Sequence, residues 1–302
     1  MKIFLTGGSG FIGGRLASAL AGRGDEVTIL TRSANGRAEG SGFSFIGGDP
    51  RLPGDWQRDA AAADAIINLA GASIFGRWTR RRKRAILESR TSATENVVSA
   101  LAARRGGKRA VLINASAVGY YGFHGDENVD ENAARGSDFL AGVTAAWEDT
   151  ALKAAGPGCR VVRARFGLVL GGRGGVLGKM LPLARLGLGG PLGSGKQWFP
   201  WVHIDDLVGN LLFLLDRDGL EGPFNCCAPN PVRNRDLARA LGRAVHRPAF
   251  MRLPGFLIRF VLGEFGTVIL RGQKAVPLRL IEAGYQFRRP DLESALADLL
   301  KR

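Results

Sequence analysis

Apolar residues in the first half of this chain fall into short unbroken runs, separated by longer stretches where they recur every three or four positions. The runs lie at residues 3–5, 26–30, 43–46, 64–71, 109–116 and 159–165. Each is of strand length, and continuous rather than alternating hydrophobicity marks a strand buried on both faces. The stretches between them read as amphipathic helices. One follows Gly13 at once, another covers 79–101 with apolar positions at Ala85, Ile86, Val97, Val98 and Leu101, and a third covers about 137–155. Doubly buried strands alternating with helices predict an α/β fold built on a doubly wound parallel sheet.

Beyond about residue 168 the pattern changes. Two glycine-rich stretches, 171–175 and 187–195, flank a short helix expected over 176–186. An amphipathic helix follows over 207–215, with Leu207, Leu211, Leu214 and Leu215 making one core-facing stripe. Further helices are expected near 234–244 and 291–300. The expected division is a larger domain over 1–167 and a smaller lobe over 168–302, with an approximate boundary across which elements can interleave.

The first apolar run ends in glycines at 7, 10 and 13. Gly7 permits a sharp turn, Gly10 lets the backbone approach a pyrophosphate without a Cβ in the way, and Gly13 lets the next helix pack closely. That helix's N-terminus supplies free N–H donors and partial positive charge. A strand before the glycines and a helix after them make this a dinucleotide-binding, Rossmann-type turn rather than a chance cluster. The second run ends in Thr31-Arg32-Ser33, where an NAD site usually carries an acidic residue for the ribose 2′-hydroxyl. A guanidinium there would pair with a 2′-phosphate, which a carboxylate would repel. The plainer alternative is an ordinary surface arginine; the motif favours NADP(H).

Composition narrows the picture further. The 302 residues can bury a large core, and the formal net charge of +15 favours anionic partners. The densest basic run, 77–84, opens the expected 79–101 helix, where cations oppose the macrodipole. Arginine elsewhere is dispersed and no nucleic-acid-binding motif is present, so nucleic acid is not expected as a partner. Three cysteines, at 159, 226 and 227, and three histidines, at 124, 203 and 246, lack the spacing of a disulfide framework or metal site. The stretch 256–270 is interrupted by Arg259 and Glu264, too short and charged to span a bilayer. No membrane partner is expected. The first strand begins at Lys2, leaving no room for a leader segment, so the cytoplasm is the expected location.

With these residues in place, the chain resembles an extended, atypical short-chain dehydrogenase/reductase. More narrowly, it resembles the NAD-dependent epimerase/dehydratase-like proteins of the bacterial YfcH (SulA-like) type. The likeness covers nearly the whole chain and rests on the glycine turn, Asn68-Leu-Ala-Gly-Ala72, Arg77-Trp-Thr79, Ser89-Arg90 and Ser116-Ala-Val-Gly-Tyr-Tyr-Gly122. It rests also on Asp138-Phe-Leu140 with Trp147-Glu148, the 187–195 glycines, Trp201-Val-His-Ile-Asp-Asp206 and Gly284-Tyr-Gln-Phe287. The resemblance implies that Gly7, Gly10, Phe11, Ile12 and Gly13 surround the pyrophosphate and Arg32 the 2′-phosphate. It puts Asp49 near the adenine, Leu69, Ala70 and Gly71 along the nicotinamide half, Ser116 at the reaction centre and Arg90 on the helix that orders it. The C-terminal segment would be a substrate lobe.

One departure matters. Active short-chain dehydrogenases pair a tyrosine with a lysine one helical turn later, so that the phenol exchanges a proton with a substrate hydroxyl. Counting back from Glu148 gives Leu140 and Thr144, neither of which does acid–base chemistry near neutral pH. Ser116 and Tyr121 are then the candidate catalytic residues, with Tyr120 beside them; packing at a strand exit is the plainer reading of both tyrosines. His203 beside Asp205 and Asp206 reads as a helix cap, and Trp198, Phe199 and Trp201 as packing between lobes. The expected function is an NADP(H)-binding oxidoreductase or nucleotide-sugar epimerase-like protein with a small-molecule, sugar-like substrate. The alternative is a non-catalytic NADP(H)-binding sensor acting through a protein partner. A homodimer is compatible with either.

Overall fold

The computed structural model describes residues 1–33, 42–106, 108–172 and 174–301. Its first part runs β1 (Lys2–Thr6), α1 (Phe11–Gly22), β2 (Glu26–Thr31), β3 (Phe43–Gly47), α2 (Trp56–Ala62), β4 (Ala65–Asn68), α3 (Arg80–Ala102) and β5 (Ala110–Ala117). A 3-10 turn (Val118–Tyr121), β6 (Asn128–Val129), α4 (Phe139–Leu152) and β7 (Cys159–Phe166) follow. Then come β8 (Leu168–Gly171), β9 (Gly174–Gly175), α5 (Leu177–Arg185), β10 (Trp198–Phe199), β11 (Trp201–His203), α6 (Ile204–Asp216) and β12 (Gly222–Cys226). The chain ends with β13 (Val232–Arg233), α7 (Asn234–Ala244), α8 (Gly255–Leu262), α9 (Glu264–Ile269), β14 (Lys274–Ala275), α10 (Leu278–Glu282) and α11 (Leu292–Leu300).

Seven strands form the central sheet in the order β12-β7-β5-β4-β1-β2-β3, every neighbouring pair parallel. The period of two along each strand divides its side chains between two apolar layers. Ile3, Leu5, Ile29, Ile67, Ile113, Val162 and Phe224 meet Leu16 and Leu20 of α1 and Leu207, Leu211 and Leu214 of α6. Phe4, Ile66, Leu112 and Val161 meet Trp56 of α2, Val97 and Leu101 of α3 and Ala151 of α4 on the other face. Helices on both faces explain the unbroken apolar runs.

Three elements from beyond residue 168 return to this sheet, among them α10, whose Leu280 enters the same core as α1 and α6. β12 adds the edge strand beside β7, and α6 covers the sheet next to α1. β12 reads Gly-Pro-Phe-Asn-Cys, with one large apolar side chain and a buried asparagine, so no hydrophobic run announces it. Whereas α9 packs Phe265 on Trp78 and β14 pairs with β6, α5, β11, α7 and α11 gather into a smaller unit, the second lobe. Its core joins Leu177 and Leu181 of α5, Trp201 of β11, Leu237 and Leu241 of α7, and Leu292 and Leu296 of α11. The hydrophobic stretch near 256–270 is two helices, α8 and α9, broken at Gly263, whose φ of 59° suits only glycine. Among the described residues no helix is long and apolar enough to cross a membrane.

Candidate functional site

Beyond the carboxyl ends of β1, β2, β4 and β5 the residues singled out from sequence come together. Gly7 turns the chain with φ 69°, and a Cβ on it would lie 2.8 Å from the carbonyl of Leu69. A Cβ on Gly13 would lie 2.3 Å from the Gly7 carbonyl oxygen, so helix α1 can start here only with glycine. Gly10 is different: its missing Cβ would meet nothing but that same oxygen, at 3.2 Å. Helix α1 has neither a side-chain N-cap nor an acidic residue in its first turn. An uncapped helix N-terminus beneath a glycine-cleared approach fits a pyrophosphate.

Phe11 stands at the mouth of this turn, with the β8–β9 hairpin laid over its ring. A Cβ on Gly171 or Gly174 would fall 2.3 or 2.5 Å from Phe11 ring atoms. The glycines at 171, 174 and 175 are therefore the seat for an aromatic ring, which their spacing alone did not reveal. Gly174→Val should cost about 1–3 kcal/mol by overpacking, and Phe11→Ala in the same chain should restore more than half of it. Urea denaturation of the three variants checks this; a double variant no more stable than Gly174→Val would contradict the seating.

At the end of β2, Arg32 is exposed and Thr31 buried. Asp49 lies close by. The hydrogen bond from Arg51, at 2.6 Å, holds its carboxyl below the usual range, and the Arg32 charge adds to that. Asp49 is thus committed to Arg51, and Arg32 is in no ion pair among the described residues.

The floor of the crevice is a buried polar net. Thr6 Oγ1 donates to Asn68 Oδ1 at 2.6 Å and accepts from the Ala70 N–H at 3.3 Å, fixing the 69–71 loop over β1. Asn68 Nδ2 donates to Asn114 Oδ1 and Thr94 Oγ1, and Trp147 Nε1 donates to that same Thr94 oxygen. Arg90 lies against Gly71, 3.3 Å from where a Cβ would be, with its guanidinium 5.1 Å from the Trp147 ring centre. Burial alone depresses its pKa to about 10, and no carboxylate pairs with it among the described residues.

A second buried network lies beneath the end of β5. Ser116 Oγ donates to Glu148 Oε1 at 2.7 Å. Glu148, on α4, takes a bidentate pair from Arg165 at 2.7 and 2.8 Å and a further bond from Arg163 at 3.2 Å. Arg165 also donates to the Tyr121 hydroxyl, which donates to Asn225 Oδ1 at 2.7 Å. Tyr121 is 1% exposed, and burial raises its pKa. It is therefore not placed for the acid role expected of it: releasing its proton would leave a buried phenolate in place of a satisfied strut. Tyr120 differs. It is half-buried, the Arg165 guanidinium lies 3.6 Å from its ring centre, and among the described residues nothing bonds its hydroxyl.

Leu140 and Thr144 occupy the helix positions of the missing pair. Leu140 packs with Trp78, Phe139 and Phe265 in an apolar cluster, and the Thr144 hydroxyl bonds back to the Leu140 and Ala141 carbonyls. The Glu148–Arg165 pair was not singled out from sequence. Its signal is visible in hindsight: arginines at 160, 163 and 165 inside an otherwise apolar strand. Arg160 satisfies the carbonyls of Leu214 and Leu215 in the last turn of α6 and of Leu220 beyond it.

His203 caps α6, its Nδ1 accepting from the Asp205 N–H at 3.1 Å, and burial lowers its pKa. His203, Asp205 and Asp298 bring ligand atoms within 4.8 Å of one another. Both carboxylates already accept from arginines, Asp205 from Arg15 and Asp298 from Arg289. Trp201 is buried in the second lobe's core, whereas Trp198 lies under Arg233 and donates to Asp126.

Known proteins share this architecture. Residues 3–227 match the family model for NAD-dependent epimerases/dehydratases, and 253–299 match a domain of unknown function. The chain is 39% identical to the Arabidopsis thaliana epimerase family protein SDR39U1 homolog, a chloroplastic protein, over all of this chain and 87% of that one. Identity to the Bacillus subtilis epimerase family protein YfhF is 37%, over 99% and 98% of the two chains. The crystal structure of human epimerase family protein SDR39U1 (isoform 2) with NADPH superposes with a TM-score of 0.87, at 34% identity over 99% of each chain.

Proposed function

The chain belongs to the NAD-dependent epimerase/dehydratase family, and from that membership and the crevice we propose that it binds NADP(H) and carries out hydride transfer on a small hydroxyl- or carbonyl-bearing substrate, sugar-like in character. The observation that carries the cofactor reading is Arg32, an exposed guanidinium in no described ion pair at the end of β2, taken with the uncapped N-terminus of α1. NADPH in the human relative's crystal structure supports it. Gly7, Gly10, Phe11, Ile12 and Gly13 would hold the pyrophosphate, Arg32 the 2′-phosphate, Asp49 the adenosine side, and Leu69, Ala70 and Gly71 the nicotinamide half. Arg90, half-buried and without a carboxylate partner among the described residues, would face the cofactor's negative charge from behind Gly71.

When bound, the nicotinamide supplies or accepts the hydride. The chain's own work is to place the substrate oxygen and move its proton. Because the Ser116 proton is given to Glu148, Ser116 Oγ offers lone pairs and accepts from a substrate hydroxyl. Oxidation of that hydroxyl would release its proton to water, with Ser116 Oγ, anchored on Glu148, holding the oxygen in place. In the reverse direction Tyr120, whose hydroxyl is uncommitted, replaces Tyr121 as the donor to the carbonyl oxygen. The competing reading, an NADP(H)-binding regulatory protein without turnover, rests on Leu140 and Thr144.

NADPH oxidation against a panel of sugar-derived and simple carbonyl compounds separates the two readings. Enzyme action predicts turnover with a panel member, reduced about 100-fold or more in Ser116→Ala, as losing a positioned group does, with NADPH affinity unchanged. Tight NADPH binding without turnover across the panel would favour the regulatory reading.

A further inference from the structure

The mechanism leaves one surface unused. Helix α8 buries only Ile258, while Phe256, Leu257, Phe260 and Val261 share its outer side, Phe256 at 69% and Phe260 at 81% exposure. The segment leading into it exposes Phe250, Met251 and Leu253, with Phe250 at 78%. The loop carrying exposed Leu186 and Leu188 runs alongside, since a Cβ on Gly187 would touch Pro248 at 3.8 Å. Exposed apolar side chains gathered on one face mark an interaction site, whereas scattered ones do not.

The charge around that face is one-sided. Residues 237–263 hold five arginines and no acidic residue, and 174–204 also lack any carboxylate. A groove of about 860 Å³ between α7 and the segment that leads into α8 is lined by Arg239, Arg243, His246, Arg247, Arg252 and Phe250. The bordering carboxylates are already paired: Asp236 with Arg239, Glu264 with Lys83 and Glu293 with Arg243. Arg247, Arg252 and Arg259 have no carboxylate partner among the described residues, so a second copy docking through this face would set them against one another, which disfavours a symmetric dimer here. An acidic surface that also accepts apolar side chains satisfies both features at once.

We propose that this face docks on an anionic lipid surface, with Phe250, Phe256 and Phe260 entering the headgroup–acyl boundary and the arginines meeting lipid phosphates. The proposal departs from the expectation of no membrane partner, which rested on the lack of a spanning stretch; lying on a surface requires no spanning helix. The proposal is independent of the cofactor and the reaction.

Sedimentation of the full chain with phosphatidylglycerol-containing vesicles, against pure phosphatidylcholine vesicles, tests it. Binding should favour the anionic vesicles by about tenfold or more and weaken with added salt, because the arginine–phosphate attraction is screened. Phe256→Ser with Phe260→Ser should reduce it by about tenfold again. Both side chains are exposed, so thermal unfolding of that variant should match the unaltered chain. Arg259→Gln should give a smaller loss. Absence of binding at low salt overturns the proposal, as does binding indifferent to the phenylalanine changes. It is also overturned if the unaltered chain is a dimer that those changes dissociate.

Discussion

Replacing Glu148 with leucine is expected to remove about 3–5 kcal/mol of folding stability, the cost of leaving a buried charge without its partner. Glu148 is 1% exposed and Arg165 2% exposed, so neither can recruit water when the other is lost. In the Leu variant the Arg165 guanidinium keeps only its bond to the Tyr121 hydroxyl and its place over the two tyrosine rings. Arg163 loses its one carboxylate, and the Ser116 hydroxyl loses its acceptor. Glu148→Gln preserves shape and one acceptor oxygen, so its cost should fall between leucine and the unaltered chain. Adding Arg165→Met to Glu148→Leu should recover much of the loss, because an apolar pair of similar volume carries no desolvation penalty. Urea denaturation of the four proteins decides. Leu and Gln variants both within 1 kcal/mol of the unaltered chain would mean the network is not the strut its geometry indicates.

That network also shows what could and could not be read from sequence. The strands β1, β2, β4 and β5 are legible because burial on both faces forces unbroken apolar runs, and the glycine turn because pyrophosphate approach and helix packing exclude a Cβ. β12 is not legible. Its place at the sheet edge is earned by Asn225, which bonds Tyr121, the Val129 and Val276 carbonyls, and through its N–H the Glu131 carboxylate. Such bonds leave no periodic trace. The same holds at the candidate reaction centre. Sequence spacing located Ser116 and the absence of a Tyr–Lys pair, but the choice between adjacent tyrosines depends on which hydroxyl the fold consumes. Phe11 beneath the glycine hairpin is a third instance, since the contact joins residues 160 positions apart. Periodicity reports burial; partner choice among polar groups comes only with tertiary geometry.

Arg32→Asp should lower NADPH affinity by about 100-fold, equivalent to about 2.7 kcal/mol, while leaving NADH affinity unchanged or improved. A guanidinium bound bidentately to a 2′-phosphate is worth about 1.5–3 kcal/mol as a charge-assisted hydrogen bond, and an aspartate in its place adds repulsion to that loss. NADH has a hydroxyl at the same position, from which a carboxylate accepts. Arg32 is exposed, so the substitution removes no packing, and unfolding should be nearly unaffected. Asp49 sits within its field and would gain a like-charged neighbour, but Arg51 already neutralises it. The NADPH advantage of the unaltered chain should also shrink as salt rises, because the pairing occurs at the surface. Calorimetry with both coenzymes on both proteins measures every arm. Equal affinities before and after the substitution would remove Arg32 from the cofactor site, and with it the ground for choosing the phosphorylated coenzyme. The glycine turn would still indicate a dinucleotide, because its fit to a pyrophosphate does not depend on what lies at the end of β2.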